Sequence, residues 1–220
     1  MNNLPPGRRP CAIIHFGKIG RMKFLSHLDL ARAFDRAVRR AGTPVAYSAG
    51  FHPHAEISFG PPLPLGVEGL REPACLELAR LEPAPEMTRA LSRQLPAGLD
   101  LVSLELTDRG RRSPLADLAW AGWEFTLTDP DPGLIESAVQ AFLAAPDCLV
   151  TRETKSKIGA VDIRPGVAEL VCHPGARPLL VAELSLQPDS LVKPEELLRT
   201  LAELAGRDLP VQRRVRTYLR

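Results

Sequence analysis

The chain has 220 residues, 45% of them hydrophobic and 25% charged, a composition ordinary for a globular protein of one large or two small domains. No apolar run approaches the ~20 residues that cross a bilayer, and no charged-then-apolar leader opens the chain, so we expect a cytoplasmic protein with no membrane partner. The cysteines lack the spacing of a zinc site, an iron-sulfur cluster or a disulfide framework, so we expect no cofactor. They are Cys11, Cys75, Cys148 and Cys172.

The net charge of +2 is unevenly distributed along the chain. Residues 1–60 contain nine basic and three acidic residues, which gives this segment a charge of +6 and leaves −4 for the remainder. Clustered positive charge attracts phosphate groups and steers their approach, although it says nothing about the fold. We therefore expect the basic segment to meet an anionic partner, such as a nucleic acid.

The first half of the chain predicts a flexible arm over 1–10, followed by alternating strands and helices. The first helix is expected to begin at Ser26, because Ser26 and Asp29 have the spacing of a capping box, and to end at Gly42 and Pro44. A second helix and the extended segments complete this half. The helix is Glu86–Leu95, and the extended segments are Cys11–Phe16, Met22–Leu25, Val45–Ser48, Ile57–Phe59, Cys75–Leu78 and Leu99–Thr107.

The second half repeats this order of elements without repeating the sequence. Its predicted elements are Trp123–Thr128, helix Leu134–Ala144, Cys148–Thr154, Val167–Val171, Leu179–Leu186, helix Pro194–Leu204 and Val211–Leu219. Strand, helix, strand, strand, helix, strand is the split βαβ order of a ferredoxin-like domain. We therefore predict an α+β protein with two ferredoxin-like modules, 11–108 and 120–220, joined by a linker over 109–119. A single elaborated α+β domain is the alternative.

The first predicted helix has a basic face opposite an apolar one. When successive residues are placed about 100° apart around the helix axis, the arginines fall on one side and the apolar residues on the other. The basic face consists of Arg32, Arg36, Arg39 and Arg40. Asp35 has the spacing to pair with Arg32 or Arg39, so the face can be an ordinary solvated surface. Arginine also suits bidentate recognition of phosphate, so contact with a nucleic acid is the other interpretation.

Three histidines accompany this helix. Pro53 favours an extended conformation at His52, which places His52 and His54 on one face, and His27 lies in the first turn of the helix. They can be metal ligands with a nearby carboxylate, or a general acid and base that cleave RNA without metal. They can also be ordinary contacts to backbone, bases or phosphates, which is the simplest interpretation.

Further basic residues extend the predicted nucleic-acid-binding set. Arg214, Arg216 and Tyr218 occupy alternate positions of the last predicted strand and therefore share one face. This mixture of basic and aromatic residues suits RNA contact on a sheet. The other candidates outside the first helix are Lys18, Arg21, Lys155, Lys157 and Arg164. The chain has neither a P-loop nor a G-x-G-x-x-G turn, which argues against a nucleotide-hydrolysing enzyme.

The run GRMKFLSHLDLARAFDRAVRRAGTPVAYSAGFHPHAEISFGPPLPLGVEG, with the later KSKIGAVDIRP and RRVRTYL, resembles the radical-SAM-linked protein family, a domain of unknown function. The resemblance spans nearly the whole chain. The positions that match the family pattern are Phe24, Ser26, His27, Asp29, Arg36, Arg39, Arg40, Tyr47, Gly50, Phe51, His52, Pro53, Ser58, Gly66, Lys155, Asp162 and Arg164. The chain departs from that pattern at Ala55 and Glu56 and over Gly69–Pro73.

The resemblance implies association with a cobalamin-binding radical SAM protein, fused to this domain or encoded beside it. The C-x-x-x-C-x-x-C ligands of the radical SAM cluster are not in this chain, so the cluster would belong to the partner. A more distant similarity, at the level of the fold, is to the ferredoxin-like endoribonucleases that process CRISPR repeat RNA. Similarity of fold does not determine function.

These features predict a noncatalytic RNA-binding or substrate-presenting partner of a radical SAM enzyme in RNA modification. The first alternative is a metal-independent endoribonuclease that uses histidine acid–base chemistry. The second alternative is a metal-dependent site built on His52 and His54. We therefore expect an accessory protein to a radical SAM enzyme and not an enzyme, whereas the endoribonuclease alternative would make the chain an enzyme.

Overall fold

The computed structural model describes residues 9–109, 115–128, 131–153 and 158–220. The chain divides into two compact units, Met1–Leu118 and Ala119–Arg220. Each unit contains an antiparallel sheet and two α-helices, which confirms the predicted α+β class. Within the described ranges, no helix is long and apolar enough to cross a membrane.

The first unit pairs three long strands and one short strand in a sheet. Its elements are β1 (Arg9–Lys18), α1 (His27–Ala41), β2 (Ile57–Phe59), β3 (Glu68–Glu77), α2 (Ala84–Ser92) and β4 (Leu99–Arg109). The strand order within this unit is β4-β1-β3-β2, and each of these neighbours is antiparallel. Ile14 of β1 therefore lies between Ala74 of β3 and Leu104 of β4.

The core of the first unit lies between this sheet and its helices. Alternate residues of β1, including Ile14 and Phe16, are buried because successive side chains of a strand point to opposite faces. The apolar face of α1 packs onto them through Phe34, whose ring centroid is 4.8 Å from that of Phe16. Phe59 of β2 joins this cluster, with its centroid 5.5 Å from that of Phe34.

Both predicted ends of α1 are confirmed. The Ser26 hydroxyl oxygen accepts a hydrogen bond from the Asp29 amide at 3.1 Å, and the hydroxyl donates to Asp29 Oδ2 at 2.7 Å. At the other end Gly42 has a φ of 65°, a left-handed conformation that favours glycine, and its amide donates to the Arg39 carbonyl at 3.2 Å. Capping by residues close in sequence therefore defines this helix.

Two predicted extended segments of the first unit are wrong. Met22–Leu25 was expected to be extended, but Gly20–Phe24 forms a 3₁₀ helix, which the Leu25 amide closes by donating to the Met22 carbonyl at 3.0 Å. Val45–Ser48 is not a strand, because its pairing is limited to isolated bridges from Val45 to Leu78 and from Tyr47 to Ala55. The prolines and glycines around this segment interrupt regular pairing.

The predicted arm and linker need smaller corrections. Arg9 and Pro10 belong to β1 and not to the arm, and the rest of the predicted arm lies outside the described residues. Arg109 is the last residue of β4, so it does not begin a linker. Residues 110–114 of the predicted linker lie outside the described residues.

The second unit adds a separate hairpin to its sheet. Its elements are β5 (Trp120–Leu127), α3 (Pro132–Ala144), β6 (Leu149–Glu153), β7 (Ile158–Asp162), β8 (Val167–His173), β9 (Leu179–Ser185), α4 (Pro194–Ala205) and β10 (Val211–Leu219). The sheet order is β10-β5-β9-β8, and β6 pairs with β7 alone. The predicted strand Cys148–Thr154 is therefore found over Leu149–Glu153 in a hairpin and not in the sheet, and Thr154 lies outside the described residues. The finer assignment of two ferredoxin-like modules stays a prediction.

An ion pair attaches the hairpin to α4. Arg152 of β6 donates to Glu196 Oε1 at 2.8 Å and to Glu196 Oε2 at 2.6 Å, and also to the Leu191 carbonyl. Burial by itself raises the pKa of Glu196, but the hydrogen bonds from Arg152 and from the Lys193 amide outweigh it and hold the pKa below its ordinary 4.5. The stabilisation is therefore present above pH 4.5 and is lost as the pH falls through the lowered pKa.

We predict that Arg152→Ala lowers the free energy of unfolding by about 3 kcal/mol at pH 7, because it leaves a buried carboxylate without its partner. Urea denaturation followed by circular dichroism measures the change. The matched control is Arg199→Ala, which removes the same charge from an exposed position of α4 and should cost less than about 0.5 kcal/mol. Equal losses in the two variants would contradict the structural role of the pair.

Candidate functional site

The arginines of α1 divide into two pairs with different surroundings. Arg39 donates to Asp35 Oδ2 at 2.9 Å and to the Pro53 carbonyl at 2.7 Å, and its guanidinium lies 4.5 Å from the centroid of the Tyr47 ring. Arg40 donates to the Gln94 carbonyl at 3.2 Å. Arg39 and Arg40 are therefore engaged within the fold, although both remain partly accessible to solvent.

Arg32 and Arg36 form the outward pair. Arg32 lies 3.5 Å from Asp29 Oδ1, but both side chains are more than half exposed, so this ion pair is weak. Arg36 is exposed and has no hydrogen bond or ion pair to any residue in the described part of the chain. Of the four arginines in the predicted basic face, these two are the ones that are free to meet a ligand.

Residues 49–53 form a loop whose ends are held together. The Ser48 amide donates to the His54 carbonyl at 2.9 Å, and the His54 amide donates to the Ser48 hydroxyl oxygen at 3.1 Å. The same hydroxyl lies 2.8 Å from His54 Nδ1. Gly50 has a φ of 127°, a conformation that side chains other than glycine rarely adopt. The closed loop sets the position of His54 and leaves its Nε2 as the nitrogen for other contacts.

Asp35 connects this loop to α1. Its carboxylate accepts from Arg39 of the next helical turn and, at 3.0 Å, from the Ala55 amide just after the loop. Burial by itself raises the pKa of Asp35, but the hydrogen bonds from Arg39 and Ala55, with the nearby charges of Arg39 and His54, lower it below its ordinary 3.8. Asp35 is therefore an anion at neutral pH and is already occupied by partners within the chain.

A groove of about 400 Å³ lies between α1 and the segment after the loop. Its lining residues are Leu28, Ala31, Arg32, Asp35, Arg36, His54, Ala55, Ile57 and Phe59. The outward arginine pair, His54 and Asp35 supply its polar groups, while Leu28, Ile57 and Phe59 contribute most of its apolar lining. The groove therefore offers cations beside an apolar surface.

The three candidate histidines do not share one pocket. His54 lines the groove, whereas His27 lines a separate cavity of about 20 Å³ and contacts the Phe59 ring edge-on, with centroids 5.6 Å apart. His52 is exposed and lines neither space. Within the described ranges no group of three or more His, Cys, Asp or Glu residues could hold a metal ion. The described residues thus offer no geometry for a metal site on His52 and His54.

Several other predicted contacts with nucleic acid lie inside the fold. Lys18 is buried and donates to the Leu25 carbonyl at 2.9 Å, and Arg216 is buried with its guanidinium 5.9 Å from the centroid of the Trp123 ring. Arg164 donates to the Leu143 carbonyl at 3.2 Å and lies over the Phe142 ring. Lys18 and Arg216 are therefore not on a binding surface, and Arg164 is largely committed to internal contacts.

The remaining basic candidates are exposed or outside the described residues. Arg21 and Arg214 are exposed. The predicted alternation of Arg214, Arg216 and Tyr218 is interrupted, because the register of β10 shifts between Arg216 and Tyr218. Lys155 and Lys157 lie outside the described residues.

A family model matches residues 12–205, which includes the groove, the loop and most of the second unit. The chain belongs to DUF2344, described as an uncharacterized protein conserved in bacteria. No curated protein matches the chain. The DUF2344 description gives no activity or partner, so the association with a radical SAM protein stays a prediction.

Sequence reasoning missed one contact of Asp35 and the role of Ser48 in building this site in the DUF2344 chain. The pairing of Asp35 with Arg39 follows from helical spacing, but the bond from Asp35 to Ala55 spans a loop and has no local signal. The Ser48 hydroxyl makes two of the three contacts to His54 that close the loop, and its sequence signal is a hydroxyl residue just before a glycine turn.

We predict that Asp35→Asn lowers the free energy of unfolding by about 1 kcal/mol at pH 7 and accelerates hydrogen exchange at the Ala55 amide, because the charged acceptor is lost. Because the pKa of Asp35 is lowered in the folded protein, its carboxylate stabilises the fold above pH 3.8. The difference in free energy of unfolding between Asp35→Asn and the unmodified protein should therefore shrink as the pH falls below that value. Asp100→Asn, at an exposed position of β4, is the control and should change neither quantity. Unaltered exchange at Ala55 in Asp35→Asn would contradict this role of Asp35.

Proposed function

We propose that this DUF2344 protein is a noncatalytic RNA-binding protein that presents an RNA substrate to a radical SAM enzyme. The observation that carries the RNA-binding part is the groove beside α1, where Arg32, Arg36 and His54 lie next to an apolar lining. Arginine pairs with phosphate oxygens, and apolar and aromatic surfaces accept bases, so this combination suits a polynucleotide.

The charge balance of the groove supports an anionic ligand. Among its described lining residues Asp35 is the one carboxylate, and it already accepts hydrogen bonds from Arg39 and the Ala55 amide. The outward arginines have no comparable partner on this surface beyond the weak pair of Arg32 with Asp29. A phosphate group would therefore meet cations that retain most of their capacity to donate hydrogen bonds.

The radical SAM part of the proposal rests on the sequence resemblance. The cysteines of this chain are scattered, and Cys11, Cys75 and Cys148 are buried thiols. They do not provide the closely spaced ligands of a radical SAM cluster. In this proposal the partner enzyme carries the cluster, and the DUF2344 protein contributes the RNA contact.

Binding is favoured over RNA cleavage by the placement of the histidines. General acid–base cleavage needs two titrating groups within reach of one phosphate. His27 and His54 line different spaces, and His52 lines neither. No observation on the described residues brings two histidines to one reacting group, so we propose a binding role.

We predict that the double variant Arg32→Ala/Arg36→Ala binds RNA roughly tenfold more weakly than the unmodified protein at low salt, because two phosphate contacts are lost. Fluorescence anisotropy with a labelled RNA, repeated between about 50 and 200 mM salt, measures both affinity and its salt dependence. The slope of log affinity against log salt should fall in magnitude by about 1 to 2 in the variant.

The control is Arg89→Ala/Arg93→Ala, which removes two exposed arginines from α2 and the residue after it in the same unit. It should change RNA affinity less than about twofold if the groove is the site. Absence of RNA binding by the unmodified protein at low salt would overturn the proposal. Release of 2′,3′-cyclic phosphate ends from the RNA in the presence of a chelator would replace the noncatalytic role by that of an endoribonuclease.

A further inference from the structure

The loop over 49–53, which leads into the groove residue His54, exposes an aromatic side chain. Phe51 is fully exposed, so its ring contributes nothing to the core of the first unit. A large apolar side chain in water gains stability when a partner covers it. Scattered exposed apolar residues are common, so the position of Phe51 relative to other groups decides whether it has a role.

The loop that carries Phe51 is attached to the groove at several points. His54, at the end of the loop, lines the groove and is tied to Ser48 at the start of the loop. Arg39 donates to the Pro53 carbonyl at 2.7 Å, and Asp35 accepts from the Ala55 amide at 3.0 Å. These bonds hold the base of the loop on α1, and Phe51 lies on this loop three residues before His54, which lines the groove.

The groove itself adds exposed apolar surface. Leu28 is 59% exposed, and Ile57 and Phe59 are half-buried with surface facing the groove. Arg32 and Arg36 lie on the same side of α1 as Leu28, at spacings of four and eight residues along the helix. Sites for single-stranded nucleic acid combine cationic groups placed along the phosphate backbone of the ligand with apolar and aromatic surfaces on which bases stack.

Duplex RNA would use these features poorly. The faces of its bases are stacked inside the helix, and its outer surface offers phosphates, 2′-hydroxyl groups and base edges. A duplex could pair with the outward arginines but would leave Phe51 and the apolar lining of the groove in contact with water. An unpaired strand can place a base on the Phe51 ring while its phosphates reach the arginines.

We infer that the groove and the Phe51 loop bind an unpaired segment of RNA, with a base stacked on Phe51 and the adjacent phosphates on Arg32 and Arg36. This inference rests on the proposed RNA-binding function and narrows its ligand from RNA in general to single-stranded RNA. The two arginines supply affinity for any RNA, and Phe51 supplies the preference for the unpaired strand.

The test compares a labelled single-stranded RNA of about 16 nucleotides with the same strand annealed to its complement. The unmodified protein should bind the single strand at least about fivefold more tightly than the duplex at equal salt, and Phe51→Ala should remove most of that difference. Because Phe51 is fully exposed, thermal unfolding of Phe51→Ala should match that of the unmodified protein. Phe24→Ala removes another exposed aromatic ring of the first unit that does not line the groove, and it should leave the preference intact.

The outcomes separate the two proposals. If neither RNA form binds at low salt, the proposed function fails and the inference fails with it. If both forms bind equally and depend on Arg32 and Arg36, the RNA-binding function stands and the inference is overturned. An undiminished preference for the single strand in Phe51→Ala, or the same loss in Phe24→Ala, also overturns the assignment of the base contact to Phe51.

Discussion

The candidate site depends on the hydrogen bonds that the Asp35 carboxylate accepts. This carboxylate accepts from Arg39 within α1 and from the Ala55 amide on the far side of the loop, so one acid joins the helix to a segment distant in sequence. Arg39, held in this way, also reaches the Pro53 carbonyl and the Tyr47 ring. These side-chain contacts add to the isolated backbone bridges that hold the segment around Tyr47.

The same contacts explain why the basic helix carries less free charge than its sequence indicates. Arg39 and Arg40 bond to groups within the chain, and Arg32 and Arg36 remain outward. Two arginines supply only two counterion-releasing contacts, which gives a modest, salt-sensitive affinity for phosphate. A ligand that also covers apolar surface gains free energy that salt does not screen. The apolar lining of the groove and the exposed Phe51 provide that surface.

Features determined by neighbours in sequence could be predicted, and features determined by tertiary contacts could not. Ser26, Asp29 and Gly42 define the ends of α1 because capping groups act within three or four residues. The burial of Lys18 and Arg216 was not predictable from the sequence. A basic residue in an extended segment is expected to be exposed unless its neighbours in space are known. Alternation along β10 also failed as a guide, because Arg214 is exposed and Arg216 is buried although no register shift separates them.

The electrostatic and the aromatic contributions to binding come from two different parts of the chain. Arg32 and Arg36 lie on α1, whose position is secured by its apolar face in the core, so their charge is available whatever the loop does. Phe51 lies on a loop whose position depends on Asp35, Arg39 and Ser48. Loss of the Asp35 contacts should therefore weaken discrimination between unpaired and duplex RNA more than it weakens the salt-dependent affinity that both share. A site of this kind can change its selectivity through the loop while its electrostatic attraction to RNA is preserved.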